Sequence, residues 1–235
     1  MSSPQTAGYR VDLNADLGEE VTDDAGLLVV VSSANVACGY HAGSAAIMRA
    51  VCAEAVRLGV AIGAQVSYAD REHFGRRDLD VSYDVLCEQV ADQVGTLSAI
   101  ATAEGTSVRY LKPHGALYHR TMRDPQQAQA VLAASGSLPV LGMAGELLAA
   151  ASAEGRSVWL EGFPDRGYGD DGRLLPRDAP GALVTEEPEI VANALTLAPD
   201  VDSLCLHGDS PGAVEHARAV RDALERVGWW IGPVV

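Results

Sequence analysis

Residues 82–111 read SYDVLCEQVADQVGTLSAIATAEGTSVRYL and contain a strongly periodic pattern followed by a short apolar run. The apolar residues of the first part recur every three or four positions, which predicts a helix over residues 82–103 with one face toward a core. Residues 108–111, VRYL, predict a buried strand. The stripe on the predicted helix consists of Leu86, Val90, Val94, Leu97 and Ala101.

The same alternation of short strands and longer helices continues on both sides of this stretch. Alternating strands and helices are typical of βα units around a parallel sheet. The last helix is expected to begin after an N-cap at Ser210, with Pro211 as its first residue. The predicted strands cover residues 10–13, 29–31 with a continuation through SSAN, 60–65, 108–111, 138–141, 157–160 and 203–206, and the helices cover residues 44–58, 82–103, 125–134, 146–154, 186–197 and 211–227.

This pattern predicts the α/β class and one domain. A chain of 235 residues is long enough for one (β/α) barrel. We predict a single barrel over residues 1–235, TIM-like, with an irregular or seven-stranded form left open. Residues 1–9 are expected to be flexible. Residues 162–181 are rich in Gly, Asp, Arg and Pro, and we expect a long loop or hairpin inserted after a strand.

The composition excludes several classes of function. A net charge of −15 argues against binding nucleic acid or an anionic membrane surface, because both depend on clustered basic side chains. The chain shows no apolar run of membrane-spanning length and no signal peptide at its start, so we expect a cytoplasmic protein. Four cysteines without CxxC spacing predict reduced, mostly buried thiols and argue against a structural zinc site.

Residues 110–118, YLKPHGALY, contain Lys112, which is the only lysine among 17 Lys and Arg residues. An ammonium group can shift its pKa or act as a compact charge for an oxyanion, whereas arginine cannot do the first. We therefore expect Lys112 to be functional, with an accident of composition as the alternative. A P-loop requires a lysine in GxxxxGK[ST], and Lys112 follows Leu111, so any nucleotide must be bound in another way.

Polar side chains follow nearly every predicted strand. In a (β/α) barrel the carboxyl ends of the strands meet at one mouth, where active sites lie, so these side chains are expected to face a common pocket. Glycines beside several of them allow the backbone to approach a ligand closely. The candidates in chain order are Asn14, Asp16, Glu19, Asn35, His41, Gln65, Lys112, His114, Glu161, Arg166, His207 and Asp209.

Other polar residues have competing interpretations. Asp16 fits a functional role and also a turn cap. Arg76 and Arg77 could bind a carboxylate, although a solvated charge run fits equally well. Asp165 and Arg166 form either an internal ion pair or a substrate contact. Three histidines in polar surroundings are interpreted as lying outside the site, and Cys38 and Cys205 as buried packing residues; the histidines are His73, His119 and His216.

Six ordered motifs between residues 10 and 232 make the chain similar to the LamB/YcsF family. They are DLNADLGE, SSANVACGYHAG, DREHFGRR, KPHGALY, DRGY with LLPR, and CLHGD. The resemblance implies a barrel related to the glycoside hydrolase and deacetylase superfamily. It also implies ATP-dependent opening of 5-oxo-L-proline to L-glutamate, together with 5-oxoprolinase subunits B and C, which resemble the two halves of allophanate hydrolase.

The resemblance and the positions of the polar residues lead to an assignment of roles. We expect ATP, with Mg, as a co-substrate and no tightly bound cofactor; a homodimer is left open. The candidate metal ligands are Asp16, His41 and His114. The expected catalytic residues are Asp16, Lys112, His114 and Asp209, and the expected substrate- or nucleotide-binding residues are Asn14, Asn35, His41, Gln65, Arg77, Glu161, Arg166 and His207.

The sequence departs from the family pattern at two positions. The motif usually written ACGFHAGD ends here in Ser44, and the usual GAHP reads GAQV, with Gln65 in place of the histidine. Glutamine keeps hydrogen-bonding capacity but loses titration near neutral pH and most metal affinity. Two alternatives to the ATP-dependent hydrolase therefore remain: a metal-dependent deacetylase or amidohydrolase, and a non-catalytic scaffold subunit of the same complex.

Overall fold

The computed structural model describes residues 9–21, 23–210 and 212–235. Seven parallel strands form a closed barrel in the order β1 to β7, because β7 and β2 both pair with β1. An eighth short strand pairs with the start of β1. The strands are β1 (Arg10–Leu17), β2 (Ser33–Ala37), β3 (Ala61–Val66), β4 (Val108–Pro113), β5 (Val140–Gly142), β6 (Val158–Gly162), β7 (Ser203–Leu206) and β8 (Trp230–Ile231).

Helices connect successive strands of the barrel. The prediction of a TIM-like parallel α/β barrel is confirmed, and of the forms that the sequence left open the structure has the seven-stranded one. The helix over residues 125–134 is predicted to the residue, because Asp124 caps it and Pro125 opens it. The helices are α1 (Asp24–Leu28), α2 (Ala45–Leu58), α3 (Tyr83–Ala103), α4 (Gly115–Thr121), α5 (Pro125–Ala134), α6 (Glu146–Ala153), α7 (Glu187–Leu197) and α8 (Ala213–Arg226).

Two details of the sequence prediction are wrong. Residues 29–31 are not a strand: they follow α1, and the Val30 amide donates to the Leu27 carbonyl. The N-cap of α8 is Gly212 rather than Ser210, whose carbonyl instead accepts a hydrogen bond from Ala213. Pro211 as a first helical residue, and a flexible segment at residues 1–8, lie outside the described residues. Helices α1 and α4 and strand β8 were not predicted.

The barrel interior is polar rather than aliphatic. Asp12, Asn14 and Asp16 of β1 are buried, and the residues between them pack outward into the hydrophobic core. Asp12 accepts hydrogen bonds from the hydroxyls of Ser32 at 2.6 Å, Ser33 at 2.7 Å and Ser203. These donors satisfy a carboxyl group that burial would otherwise make costly.

The next layer of the interior depends on a glycine. The Tyr110 hydroxyl donates to Asn35 Oδ1 at 2.6 Å, and the Asn35 amide donates to Asn14 Oδ1 at 2.7 Å. The Tyr110 ring lies against Gly63 of β3, where an added Cβ would come within 2.2 Å of a ring carbon. Gly63 therefore leaves the space that this buried tyrosine fills.

A long connection between β6 and α7 covers part of the mouth. Residues 163–186 contain two isolated antiparallel bridges, Arg166 with Leu183 and Tyr168 with Leu174. The Arg166 side chain donates to the carbonyls of Ala182 at 3.0 Å and Leu175 at 2.7 Å. A buried guanidinium thus fastens this loop onto itself. Within the described residues, the helices are all too short or too polar to cross a membrane.

Candidate active site at the barrel mouth

Lys112 lies at the centre of the barrel mouth, where the carboxyl ends of four strands meet. Its side chain is 2% exposed. Its Nζ atom lies 2.9 Å from Glu161 Oε2, 3.4 Å from Asp16 Oδ1 and 3.1 Å from Cys205 Sγ, and it sits 5.2 Å above the centre of the Phe163 ring. Lys112 therefore lies among polar side chains from separate strands, as the sequence predicts.

The two carboxylates keep Lys112 charged. Burial disfavours an ammonium ion, but Asp16 and Glu161 outweigh burial and raise the pKa of Lys112 well above its usual value. Burial likewise opposes ionisation of Asp16, yet the positive charge of Lys112 holds the pKa of that carboxyl well below its usual range. Lys112 is thus a fixed positive charge at neutral pH, and Asp16 is an ionised acceptor.

A second buried cluster adjoins Asp16. The amide of Gln65 donates to Glu19 Oε1 at 2.9 Å and to His114 Nδ1 at 2.9 Å, and its oxygen lies 3.2 Å from His41 Nε2. The rings of His41 and His114 stack with centres 4.1 Å apart. Burial and the neighbouring His114 lower the pKa of His41. His41 Nδ1 is buried and has no hydrogen-bond partner among the described residues.

The side chains that could jointly hold a metal ion differ from the expected set. Among the described residues, the group with close ligand atoms is Glu19, His41 and His114. Asp16 was expected as a ligand, but Asn35 and Lys112 hold its Oδ1, and its Oδ2 lies 3.8 Å from His114 Nδ1. Glu19 of the DLGE motif takes that place.

The rim of the mouth carries two further ion pairs. His207 Nδ1 lies 3.0 Å from the Asp165 carboxylate, and its ring stacks on Phe163. Burial opposes ionisation of Asp165, but the charge and hydrogen bonds of His207 lower the pKa of this carboxyl. Asp209 accepts from Arg76 at 2.6 Å and from Arg177 at 3.4 Å.

Two adjoining cavities open at the mouth. The inner one has a volume of about 50 Å³ and is lined by Asp16, Lys112, His114, Tyr118 and His207, among others. The outer one has a volume of about 340 Å³ and carries three arginines on its wall: Arg76, Arg123 and Arg173. Arg76, His119 and Leu174 line both cavities, so the two form a continuous path from an arginine-lined vestibule to Lys112.

The structure gathers most of the expected residues around this mouth, but not all in the expected way. Asn14 and Asn35 lie below it within the barrel interior. Arg77 is exposed and lines neither cavity; Arg76 does instead, because its guanidinium packs over Phe74, 4.9 Å from the ring centre. His119 was interpreted as lying outside the site, yet it lines both cavities. Glu19 and Arg76 were named as polar candidates but were not assigned a role in the site. The site residues that sequence reasoning missed are Tyr118, His119, Phe163 and Arg177.

Ser44, one of the two departures from the family pattern, lies outside the site. Its exposed side chain accepts a hydrogen bond from the Ile47 amide at 3.4 Å and forms the N-cap of α2. Serine and aspartate are about equally good N-caps. The change at this position is therefore a change of helix cap.

The same barrel fold occurs in solved structures whose sequences differ widely from this one. The chain superposes on a family 4 carbohydrate esterase from Streptomyces lividans with a TM-score of 0.60 at 13% identity, covering 97% of this chain and 94% of that one. At this identity the likeness concerns the fold alone. Residues 11–235 match the LamB/YcsF family, and the chain belongs to that family.

Two relatives are much more similar. The A subunit of 5-oxoprolinase from Streptomyces coelicolor is 50% identical, over 94% of this chain and 98% of the relative. The lactam utilization protein from Thermus thermophilus superposes with a TM-score of 0.89 at 36% identity, over 95% of this chain and 99% of that chain. These comparisons confirm the family that the six motifs indicate.

Proposed function

We propose that this protein is a subunit of an ATP-dependent 5-oxoprolinase, which opens 5-oxo-L-proline to L-glutamate. The relatives named as the A subunit of 5-oxoprolinase and the solved lactam utilization protein support this reaction. The observation that carries the proposal is the buried Lys112 ammonium beside ionised Asp16 at the base of a small cavity. That pair can place a positive charge near the oxygen of one carbonyl group and a proton acceptor near the water that attacks its carbon.

The proposed chemistry couples ring opening to ATP. A lactam carbonyl is a weak electrophile, so the γ-phosphoryl group of ATP is transferred to its oxygen and ADP leaves. Water adds to the activated carbon, and the C–N bond breaks as the nitrogen takes up a proton. A second water cleaves the remaining phosphate linkage, which releases phosphate and L-glutamate. The site must stabilise negative oxygen, accept a proton from water and protonate the nitrogen.

The surroundings of each group suggest its role. Lys112 would stabilise charge on the carbonyl oxygen or its phosphate, since a fixed cation in a buried site is most effective there. Asp16 is favoured over His114 as the base, because Gln65 donates to His114 Nδ1, while His114 Nε2 lies 3.2 Å from the Phe74 carbonyl oxygen. Glu161 and His41 would orient these groups.

The two cavities suggest how an anionic substrate would lie. The inner cavity has room for about three to five waters, or for the reacting end of a small ligand. The arginines of the outer cavity would bind a carboxylate or phosphate, because guanidinium groups pair with both. Asp209 would hold Arg76 and Arg177 in position. Arg166 would act through the loop that it fastens.

The complex and its co-substrate follow from the same proposal. We infer that subunits B and C, resembling the two halves of allophanate hydrolase, assemble with this chain and that ATP enters with Mg. The cytoplasm is the compartment in which we expect this reaction.

The test is reconstitution. Release of ADP and of glutamate is measured with 5-oxoproline and MgATP for this chain alone, for subunits B and C alone, and for all three together. Glutamate release only in the full mixture supports the proposal. Absence of release, when the same B and C preparations are active with another family member, would reject it.

A further inference from the structure

The Gln65 amide contacts every member of the cluster formed by Glu19, His41 and His114. It contacts one atom of each: Glu19 Oε1, His41 Nε2 and His114 Nδ1. These are atoms of the kind that ligate a metal ion. The amide can point only one way, because its NH₂ group faces the Glu19 carboxylate, where a carbonyl oxygen would be repelled.

The spacing of these atoms matches a metal coordination sphere. Glu19 Oε1 lies 3.4 Å from His114 Nδ1 and 3.7 Å from His41 Nε2. Ligand bonds of 2.0–2.1 Å in a tetrahedral zinc site place neighbouring ligand atoms about 3.3 Å apart. All three side chains are buried, at 3%, 1% and 7% exposure for Glu19, His41 and His114. The cluster thus has the ligands and the dimensions of a metal site, and one amide contacts all three ligand atoms.

The hydrogen bonds of Gln65 also assign the ring protons. Each amide hydrogen has its own acceptor, one on Glu19 and one on His114 Nδ1, so His114 carries its proton on Nε2, which faces the Phe74 carbonyl oxygen at 3.2 Å. The amide oxygen accepts from His41 Nε2. Every polar atom of the amide is therefore used, and both rings are held in one tautomer.

We propose that the Gln65 side-chain amide replaces a divalent cation in this cluster. It crosslinks Glu19, His41 and His114 by hydrogen bonds, excludes a metal ion from them, and fixes the tautomer of His114 next to Asp16. With the Gln65 amide bonded to the ligand atoms of all three side chains, a metal ion does not fit among them. No step of the proposed reaction therefore uses a metal ion in this cluster. The inference is independent of the identity of the substrate.

Shortening Gln65 tests the proposal directly. Gln65→Ala removes the amide and leaves the three ligands around an open space, so the variant should bind one Co²⁺ at least 100-fold more tightly than the wild type. Binding is measured by calorimetric titration and by the visible absorption of cobalt with nitrogen and oxygen ligands. Adding Glu19→Gln to this variant should remove the gain.

The matched control is Gln93→Ala. Gln93 is also a fully buried glutamine with amide hydrogen bonds, to the backbone of Ser67, but it has no such ligand cluster. This variant should bind Co²⁺ no better than the wild type. The proposal is overturned if the wild type binds Co²⁺ through Glu19 as tightly as Gln65→Ala, or if a folded Gln65→Ala variant shows no gain.

A measurement on the wild type covers the case in which the variant does not fold. In ¹⁵N-histidine NMR spectra, His41 and His114 should both carry a proton on Nε2 and none on Nδ1, and added Zn²⁺ should leave their signals unchanged. A His114 ring protonated on Nδ1, or a stoichiometric shift of these two rings with Zn²⁺, would contradict the proposal.

Discussion

Replacing Lys112 by methionine tests the electrostatic centre of the mouth. Methionine keeps most of the length and apolar character of the side chain but removes its charge. Asp16 and Glu161 are 5% and 3% exposed, so the variant leaves two buried carboxyl groups without their shared cation. We expect a large loss of stability in addition to any effect on catalysis.

The distances give the magnitude. At an effective dielectric constant of about 20, unit charges separated by the observed 2.9 Å and 3.4 Å attract by about 6 and about 5 kcal/mol, respectively. Removing the lysine also removes its own desolvation cost, which offsets part of this attraction. Deleting one partner of a buried ion pair typically costs about 3–5 kcal/mol, and this is the loss of unfolding free energy that we expect near pH 8.

The loss of unfolding free energy in Lys112→Met should depend on pH. In the wild type the folded-state pKa of Asp16 is depressed, so its ionisation contributes stability above the unfolded pKa of about 3.9, and this contribution is lost as pH falls through the folded pKa. In Lys112→Met the largest cause that lowers this pKa is gone, so burial raises the folded pKa of Asp16 and stability increases as pH falls. The difference in unfolding free energy between the wild type and Lys112→Met should therefore become smaller from pH 8 to pH 4.5.

Urea unfolding at both pH values measures this difference. Arg109→Met is the matched control, because Arg109 is an exposed cation on the same strand, and it should change stability by less than about 0.5 kcal/mol. The double variant Lys112→Met/Glu161→Gln should regain about 2 kcal/mol, since it removes one unpaired charge. A loss below about 1 kcal/mol at pH 8, or a difference that grows with acid, would refute the reasoning.

Three further predictions concern the interior and the rim. Gly63→Ala should cost about 2–3 kcal/mol in urea unfolding, because its Cβ would overlap the Tyr110 ring, and an unchanged midpoint would be inconsistent with that packing. Tyr110→Phe should cost about 1–2 kcal/mol by leaving Asn35 Oδ1 without this donor, whereas equal stability would mean that the bond contributes nothing. Asp165→Asn should lose stability at pH 7, because the lowered folded-state pKa of Asp165 contributes stability above its unfolded pKa, and this loss should shrink as pH falls through the folded-state pKa. A loss of stability in thermal melts that does not change with pH would contradict this assignment.

Local patterns in the sequence were sufficient to predict most helices and strands of the barrel. Four of the five predicted stripe positions of α3 are buried, and Asp124 with Pro125 marks the start of α5. Residues 29–31 were wrongly predicted as a strand because three consecutive valines are typical of one. The actual strand, SANVA, is polar at alternate positions because Ser33 and Asn35 face the polar interior, a property that only the assembled barrel creates.

The mouth was predictable as a set of residues but not as a set of contacts. Lys112 was identified from its rarity and its place after a strand. The role of Gln65 depends on Glu19, 46 positions away, and on His114, 49 positions away, and no local spacing reports such pairs. The choice of Arg76 over Arg77 likewise depends on which side chain packs over Phe74.

The central claim is that the mouth built on Lys112 and Asp16 opens the lactam ring. Its most direct test is glutamate release from 5-oxoproline and MgATP by the three-subunit complex containing Asp16→Asn, compared with the complex containing Arg109→Met. We predict that Asp16→Asn lowers the rate by about 100-fold or more while the complex still assembles, and that Arg109→Met does not. An Asp16→Asn rate within twofold of the wild type would contradict the claim and favour a scaffolding role for this subunit.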